Sequence, residues 1–447
     1  MKRIFYFLTI LLWVACENDD SFSTNSGLRL EFSADTLQMD TVFSRTPSST
    51  YSFWVYNRHD DGIRLSTVKL RRGNQSGYRV NVDGVYLDNS NGSQTSNVEI
   101  RKNDSILVFV ELTATETHQQ EPQLVSDDLM FYLESGTEQK VCLRAWAWDA
   151  QKLYSPVIAR DSVIESDIPI VIYDELTVNE GVTLTIRNTQ LYFHDNASLD
   201  VHGTLIAENC VLRGDRLDNM FDYLPYDRVS GQWNGVHLYA TSTNNQLVNT
   251  EIRNANYGLI CDSAALDEHH YRLEMQNCII HNTALMGVET VNSHISLDHC
   301  QMTNSGGDCI SIIGGIAEIR YCTFAQFYPY SANRGAAFRF ANYRNEVDIP
   351  LLYLSCESSI MTGYEDDVVM GGTRDDSEAV FDYDFANCLL RTPAVTDDSL
   401  HFKEIIWESP KDSVQGKKHF VTIDEDNLIY DFHLDSLSTA KGLGCYE

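Results

Sequence analysis

The chain has 447 residues, 64 of them acidic and 33 Lys or Arg, which gives a formal net charge of −31 at pH 7. A charge of this sign repels phosphate backbones and argues against nucleic acid as a partner. The hydrophobic content of 43% predicts globular structure rather than disorder, and the length allows two or three domains.

The N-terminus has the pattern of an export signal. Lys2 and Arg3 precede an apolar run over residues 4–15, which is too short to span a membrane and typical of a signal peptide. Ala15 stands directly before Cys16, and this boundary resembles a bacterial lipoprotein signal. The resemblance implies a signal peptide over 1–15 and a lipid on Cys16; the alternative is ordinary secretion with an incidental cysteine.

Residues after Cys16 indicate where such an anchor would place the chain. The acidic stretch ENDD over 17–20 resembles the tether that directs Bacteroidetes-type lipoproteins to the outside of the outer membrane. Ser, Asn and Thr then dominate, so we predict a flexible tether over 16–27. The predicted location is the outer membrane, facing the exterior, with the lipid as the membrane partner.

Residues 28–155 read as short strands without helical periodicity. Segments such as YSFWVYN, YRVNVDGVYL and SILVFVELT alternate apolar and polar residues, and Asp83-Gly84 is a hairpin signal. This spacing predicts a β-sandwich. The order of the strands resembles Ig-like domains of the abnormal-spindle/hydin type, and we find no catalytic cluster in it.

A repeat of 22 residues organises the chain further on. The segments LEMQNCIIHN, ISLDHCQMTN and AEIRYCTFAQ begin at Leu273, Ile295 and Ala317, and their columns agree in chemistry. Apolar residues alternate with polar ones, which is the period of a half-buried strand. A fixed period of short strands predicts coils stacked on one another in a parallel β-helix. A second strand per coil is indicated by Val288 and Ile310, also 22 residues apart.

One column of the repeat is rich in cysteine. We assign six cysteines to it: Cys210, Cys278, Cys300, Cys322, Cys356 and Cys388. At an inward-facing position Cys behaves as a small hydrophobe, so we predict buried thiols, with strained disulfides between coils as the alternative. A further column of Asn282, Asn304 and Gln326 is expected to hydrogen-bond along the bend.

Several segments from residue 168 onward carry a more specific resemblance. LTVNEGVTLTI, LYFHDNASLDVHGTLIA and GDRLDNMFDYLPYDRVSGQWNGV are similar to uncharacterised Bacteroidales cell-surface lipoproteins with right-handed parallel β-helix repeats, a pectin-lyase-like fold. The resemblance implies an all-β chain: an N-terminal Ig-like β-sandwich, a right-handed parallel β-helix over 165–394 and a C-terminal capping segment over 395–447. It implies no activity.

The motif SGGDCISI over 305–312 resembles the TGDDCIAI element of polygalacturonases. Asp308 matches the second aspartate, but Gly307 stands where the first belongs and Met286-Gly287 where the family carries another. Inverting hydrolysis needs two carboxyl groups. We therefore interpret Asp308 as part of a structural turn.

An inserted loop further on is acidic. Its carboxylates are Glu365, Asp366, Asp367, Asp375 and Asp376. Calcium takes several oxygen ligands, so this loop could bind it, but we interpret the segment as a mobile, solvated acidic loop. We predict no resident cofactor and no other metal.

The insertion over 214–233 is the strongest candidate for ligand contact. It combines the side-chain types that bind sugars, namely Asp215, Arg216, Asp218, Tyr226, Asp227, Arg228 and Trp233. Inserted loops are where function concentrates on such a scaffold. The alternative is that Arg216 and Arg228 pair with Asp218 and Asp227 and pin the loop.

These observations predict a surface lipoprotein that is not catalytic and presents a β-helix to glycans, extracellular matrix or surface proteins. One alternative is a polysaccharide lyase or glycoside hydrolase on the same fold, and another is a structural part of a surface assembly. An acid pair facing a groove beside an Arg or Lys would favour the enzyme.

Overall fold

The computed structural model describes residues 21–408 and 416–446, in which the regular secondary structure is β-strand apart from four short 3-10 helices. The predicted signal peptide and Cys16 lie outside the described residues. The 3-10 helices are Gly73–Gln75, Asn89–Asn91, Tyr226–Arg228 and Lys417–His419. None of the described helices is long and apolar enough to span a membrane.

The chain divides into two compact units. The first comprises Met1–Asp149 together with Leu217–Asp222, and the second comprises Ala150–Arg216 and Tyr223–Glu447. The predicted boundary at residue 155 therefore lies too late, because the strand Gln151–Tyr154 pairs in register with Ile170–Tyr173 of the second unit. Nothing in the sequence indicated that six residues of the later insertion belong to the first unit.

The first unit consists of two sheets. One has five strands, in the spatial order Glu31–Phe32, Tyr51–Tyr56, Ser105–Leu112, Tyr78–Val82 and Val85–Tyr86. The other has six strands: Thr36–Phe43, Glu138–Trp148, Gln123–Leu133, Ile63–Leu70, Gln94–Thr95 and Val98–Ile100. Alternate residues of each strand point into one core, where Val55, Val108 and Phe131 are fully buried.

The second unit contains two long parallel sheets. The strands of the 11-stranded sheet are, in spatial order, Gln151–Tyr154, Ile170–Tyr173, Gln190–Phe193, Val211–Gly214, Glu251–Arg253, Ile279–Thr283, Gln301–Ser305, Thr323–Gln326, Ile360–Gly363, Leu389–Leu390 and Ile406–Trp407. The strands of the 17-stranded sheet are Val157–Ile158, Ser162–Ile164, Glu175–Val178, Thr183–Arg187, Ser198–Val201, Thr204–Glu208, Gly235–Leu238, Asn245–Val248, Leu259–Cys261, Leu273–Gln276, Val288–Asp298, Ile310–Arg320, Phe338–Ala341, Leu351–Glu357, Val369–Gly372, Phe381–Ala386 and Phe402–Lys403.

The 22-residue repeat sets the register of these sheets. Leu273 pairs with Ile295, and Ile295 pairs with Ala317, as the aligned columns predict. Val288 likewise pairs with Ile310. These side chains are fully buried in the core of the second unit, so the repeated apolar positions are what the stacking buries.

The column that contains the cysteines differs from the predicted one at one place. The residues immediately before the strands of the 11-stranded sheet, from its third strand to its tenth, are Thr189, Cys210, Thr250, Cys278, Cys300, Cys322, Ser359 and Cys388. Cys356 does not belong to them, because it pairs with Ile319 in the 17-stranded sheet. The described cysteines are free thiols, and those of the column are buried.

The residue before this column makes the turn. Asn188, Asn209, Asn249 and Asn277 all have positive φ, between 47° and 53°. Each later amide donates to the side-chain oxygen of the one before: Asn209 Nδ2 to Asn188 Oδ1 at 3.2 Å, Asn249 to Asn209 at 3.0 Å and Asn277 to Asn249 at 3.1 Å. The amide ladder therefore lies beside the cysteines. The predicted ladder of Asn282, Asn304 and Gln326 is not formed, because Asn304 Oδ1 accepts from Phe327 N and Gln326 Nε2 donates to Gly307 O.

The end of the chain folds back along the 11-stranded sheet. Strands Phe402–Lys403 and Ile406–Trp407 still pair in the parallel sheets, so the stack continues beyond the predicted limit at 394. The antiparallel strands Phe420–Asp424 and Ile429–Leu434 form the C-terminal hairpin. Phe420 and Phe432 pack with Ala325, Phe327, Ile360 and Leu389, which lie on the outward side of the sheet. The remaining short strands are Asn219–Phe221, Leu224–Pro225, Tyr343–Arg344 and Val347–Asp348.

Candidate functional site

A cavity of about 490 Å³ lies between the 11-stranded sheet and the C-terminal hairpin. Its floor is formed by outward-facing residues of three neighbouring strands. Glu251, Ile279 and Gln301 share one row across these strands, and Arg253, His281 and Thr303 share the next. The apolar residues between them point into the core, and Ile279 is the one apolar side chain among these six floor positions.

Two arginines and two carboxylates form an ion-pair network at the floor. Asp227 Oδ1 lies 2.8 Å from Arg213 Nη1 and 3.3 Å from Arg253 Nη2. Arg253 Nη1 lies 3.2 Å from Glu251 Oε1. Arg253 therefore joins the two carboxylates, and its Nε is buried without a hydrogen-bond partner among the described residues.

His281 is a neutral side chain in this row. Burial and, second to it, the neighbouring Arg253 lower its pKa to about 4, while Asp227 acts in the opposite direction. Its Nδ1 lies 2.8 Å from Thr303 Oγ1, and Gln301 Nε2 donates to the same oxygen at 2.9 Å. At neutral pH the floor thus offers an uncharged imidazole beside a guanidinium.

The opposite wall is aromatic. Tyr430 and Phe432 of the C-terminal hairpin meet the His281 ring edge-on, at centroid distances of 5.7 and 6.0 Å. Tyr446 OH donates to Gln301 Oε1 at 2.9 Å, and its ring stacks on His433 at 4.0 Å. Burial raises the pKa of both tyrosines above the usual value, so both hydroxyls stay protonated.

A second, more open groove of about 420 Å³ adjoins the cavity. Tyr257, Tyr328 and Tyr330 line it together with Leu285 and Gly306–307, and we call it the tyrosine groove. Pro329, between two of these tyrosines, lines the cavity itself. Tyr330 OH donates to Arg228 O at 2.6 Å, and Tyr328 OH lies 2.8 Å from Ser230 Oγ. One short segment therefore borders both spaces.

The candidate loop over 214–233 is divided between several environments. Asp227 and Arg228 line the cavity, and Arg228 Nη1 donates to Asn427 O at 2.6 Å. The Arg216 guanidinium lies over the Tyr226 ring at 4.2 Å. The predicted pairing of Arg228 with an aspartate of the loop is absent from these contacts, since Asp227 pairs with arginines of the sheet instead.

Three residues of the same loop make contacts within the fold. Trp233 is fully buried, stacks on Phe193 at 4.2 Å and donates from Nε1 to Arg253 O at 2.9 Å, which corrects its assignment as a ligand-contacting ring. Asp215 is buried and lies 2.7 Å from His194 Nδ1. Asp218 belongs to the first unit, where its Oδ2 accepts from Ser49 N at 2.6 Å.

Asp308 is held by contacts within the fold. Its Oδ2 lies 2.6 Å from Arg339 Nε, and its Oδ1 accepts from Ala336 N at 2.7 Å. The side chain is nearly buried. Both carboxylate oxygens are therefore used within the fold.

The acidic loop over 365–376 is spread over separate partners. Glu365 pairs with Arg334, Asp366 with the buried Arg391, and Asp376 with Arg374. Asp367 Oδ1 accepts from Thr392 Oγ1 at 2.7 Å, and Asp375 has an exposed side chain. Over residues 21–408 and 416–446, no three acidic, His or Cys side chains are grouped so as to hold a metal ion.

Sequence reasoning missed most of the residues that line the cavity. Glu251, Arg253, His281 and Tyr446 were not among the candidates. A signal was present, because Arg213, Arg253 and His281 occupy one outward column in successive strands of the 11-stranded sheet. Cationic and imidazole side chains in register on one face indicate a polar strip along the stack.

Comparison with known proteins gives weak likenesses. No protein-family model matches the chain, and no curated protein matches it. A structure of a family 123 glycoside hydrolase from Clostridium perfringens, from work on glycolipid glycan hydrolysis, aligns at 5% identity over 28% of this chain and 30% of that chain, with a TM-score of 0.19. The chain thus spans about 30% of the length of that protein.

A second structure aligns over more of the chain. The catalytic unit of the thermostable GH87 alpha-1,3-glucanase from Streptomyces thermodiastaticus strain HF3-3 aligns at 10% identity over 80% of this chain and 89% of that chain, with a TM-score of 0.30. At these TM-scores neither likeness carries an argument about fold or activity.

Proposed function

We propose that the chain binds a neutral polysaccharide in the cavity and the adjoining tyrosine groove. The observation that carries this proposal is Arg253, which joins Asp227 and Glu251 at a floor bordered by aromatic side chains. Carboxylates accept hydrogen bonds from sugar hydroxyls, guanidinium groups donate to them, and aromatic rings pack on the apolar faces of sugar rings. The net charge of −31 favours a neutral polymer over an acidic one.

Calorimetric titration of the full chain with neutral and acidic polysaccharides tests this proposal. Glu251→Gln keeps the size of the side chain but removes its charge, and we expect binding to weaken about tenfold, the loss of one charge-assisted hydrogen bond. Glu274→Gln, on the outward side of the 17-stranded sheet, is the matched control. Unchanged affinity in Glu251→Gln, or tighter binding of acidic than of neutral polymers, would contradict the proposal.

Hydrolysis of the polysaccharide is the second candidate function. Asp227 and Glu251 are an acid pair that faces one cavity beside a basic side chain, which is the arrangement that favours an enzyme. Hydrolysis requires one carboxyl group to protonate the leaving oxygen. Here both carboxylates contact a guanidinium, so binding without cleavage is the function that the geometry supports better.

An assay for new reducing ends on the same polysaccharides separates the two functions. Product release that is lost in both Asp227→Asn and Glu251→Gln would replace the binding proposal with a hydrolase. Unsaturated products would instead indicate a lyase. Binding without products supports the non-catalytic function. If neither binding nor products are detected, the remaining function is that of a structural part of a surface assembly.

We further propose the finer fold that the repeats suggest. The parallel register of two long sheets supports a pectin-lyase-like, right-handed parallel β-helix for the second unit. Two facing sheets of predominantly antiparallel strands support an Ig-like sandwich for the first. A crystal structure with a traced solenoid hand tests both assignments.

The location is proposed on the sequence alone. The resemblance to Bacteroidales surface lipoproteins supports a lipid anchor at Cys16 and an outward-facing position on the outer membrane. Metabolic labelling with an alkyne fatty acid should mark the wild-type chain and not Cys16→Ser. Protease treatment of intact cells should then remove the labelled chain; its protection would contradict the outward orientation.

A further inference from the structure

The outer side of the five-stranded sheet in the first unit carries exposed aromatic rings. Trp54, Phe109 and Tyr86 are exposed to 44%, 41% and 50%. The residues next to them in sequence, such as Phe53 and Val108, point inward and are buried to at least 98%. The core of the unit is therefore complete without these rings, and we call the side that they occupy the aromatic face.

The rings are arranged in register with polar side chains. Ser52 pairs with Phe109, Phe109 with Asn81, and Asn81 with Tyr86, so these four residues form one row across four strands. Neighbouring strands lie about 4.8 Å apart, which places the Phe109 and Tyr86 positions roughly 9.6 Å from each other. This separation is comparable to the length of a disaccharide unit in an extended chain.

A second row extends the face. Trp54 pairs with Leu107, one row from Phe109, and the Trp54 ring stacks with Tyr56 at a centroid distance of 6.4 Å. The Arg58 guanidinium covers the Tyr56 ring at 4.1 Å. The first row thus alternates between rings and groups that form hydrogen bonds, and the second row adds Trp54 beside Leu107.

We propose that the aromatic face is a second carbohydrate-binding surface, which takes an extended neutral polysaccharide with its sugar rings stacked on Trp54, Phe109 and Tyr86. A sugar presents an apolar C–H side to a ring and hydroxyls at its edge, and this matches the alternation along the row. A lipid surface would require a continuous apolar patch instead.

The net charge of the chain further restricts which partner the aromatic face can bind. A second copy of the chain also carries −31, and an acidic polymer carries the same sign, so both are repelled. A neutral polymer meets no such repulsion. The proposal does not depend on the cavity of the second unit, because none of its residues lies there.

Affinity electrophoresis and pull-down of the full chain with cellulose, chitin, mannan and α-glucan test the proposal. Trp54→Ala/Phe109→Ala removes two outward rings, and we expect retention by the preferred polymer to fall about tenfold. Phe109→Tyr keeps a ring and should bind as wild type. Trp146→Ala is the matched control, since Trp146 is 42% exposed on the other sheet and pairs with Leu124.

The variant at the cavity distinguishes the two sites. Glu251→Gln removes the contribution of the cavity to retention, so Trp54→Ala/Phe109→Ala should still lower retention when it is compared with Glu251→Gln alone in the Glu251→Gln background. Wild-type retention in Trp54→Ala/Phe109→Ala, with its melting temperature preserved, would overturn the proposal. So would the absence of retention by every polymer, or a wild-type dimer in light scattering that the double variant dissociates.

Discussion

Thr250 shows what the cysteine column requires of a residue. Its Oγ1 donates to Ala207 O at 3.2 Å and to Val248 O at 3.0 Å. Cys278 Sγ has the equivalent contacts, to Leu247 O at 3.2 Å and Gln276 O at 3.3 Å. Ser359 Oγ donates to Glu357 O at 2.9 Å. The position therefore takes a small side chain with a donor, and thiols serve there as weak hydroxyl equivalents rather than as disulfide partners.

Substitutions at Thr250 test this requirement. Thr250→Val keeps the shape but removes the one hydroxyl proton that the Ala207 and Val248 carbonyls share, and we expect a loss of about 1 kcal/mol in the free energy of unfolding. Thr250→Cys keeps a donor and should cost less. Urea unfolding measures both, and an equal loss in the two variants would show that the position requires volume alone.

Two histidines, the buried His419 and the half-buried His281, predict how stability depends on pH. Burial lowers the pKa of His419 to about 4, with Arg391 as the second cause, and the pKa of His281 is lowered to about 4 in the same way. The unfolded chain takes up a proton near pH 6.5, before the folded chain does. Stability is therefore full above pH 6.5 and falls as the pH drops towards 4, by up to about 3 kcal/mol for a fully buried group.

Unfolding free energies measured between pH 7 and pH 4 test this dependence. His419 is 3% exposed, so His419→Gln should flatten part of the slope. His433→Gln is the control, because the His433 side chain is 63% exposed. An unchanged slope in His419→Gln would assign the acid sensitivity to other groups.

At the scale of the element, the turn before the column explains why the repeat stacks in register. Asn277 has a φ of 52°, which few side chains other than Asn and Gly adopt easily, and its amide donates to Asn249. The same turn then recurs before successive strands of the 11-stranded sheet, and each ladder contact ties one turn to the next. Backbone conformation and side-chain hydrogen bond thus select the same residue.

Asn277 variants separate these two contributions. Asn277→Gly keeps the positive φ and loses the ladder contact, whereas Asn277→Val loses both and should cost roughly 1–2 kcal/mol. Gln276→Val is the control, because the adjacent exposed strand position favours a β-branched residue. If Asn277→Val were as stable as wild type in thermal melts, the stability of the turn would not depend on a residue that favours positive φ at position 277.

Prediction from sequence succeeded for these elements because their information is local. Leu273, Ile295 and Ala317 recur every 22 residues in successive repeats, so alignment recovered the strand register directly. Prediction failed at Cys356. The segment LLYLSCES resembles the segments that carry the cysteine column, but its strand belongs to the 17-stranded sheet. It also failed for Trp233, since a repeat cannot show whether an aromatic ring in an insertion turns inward.

At the scale of the molecule, the cavity could not be predicted because its parts are distant in sequence. Arg253 and His281 are brought together by the sheet, whereas Tyr430, Phe432 and Tyr446 reach the cavity only through the path of the C-terminal segment. No local pattern specifies that path. The two-part, all-β organisation was predictable, whereas the assignment of Leu217–Asp222 to the first unit was not.

The net charge yields a prediction for the whole molecule. A charge of −31 destabilises the compact state through self-repulsion, and salt screens it. The Debye length falls from about 30 Å at 10 mM to about 8 Å at 150 mM, so the melting temperature should rise over that range. Calorimetry in NaCl and in choline chloride should give the same rise. A flat response would mean that ion pairs lost to screening offset the relief of repulsion.

The segment Leu217–Asp222 has a consequence for biosynthesis. Asp218 accepts a hydrogen bond from Ser49 N and Asn219 N donates to Tyr51 OH, so the first unit holds contacts to residues far beyond Asp149. On the ribosome, N-terminal domains generally fold before the rest of the chain emerges. Here the first unit can complete its fold only after residue 222 has been translated, and the strands between Gln151 and Gly214 are synthesised before that point. Folding of the first unit therefore has to wait for part of the second unit to be made.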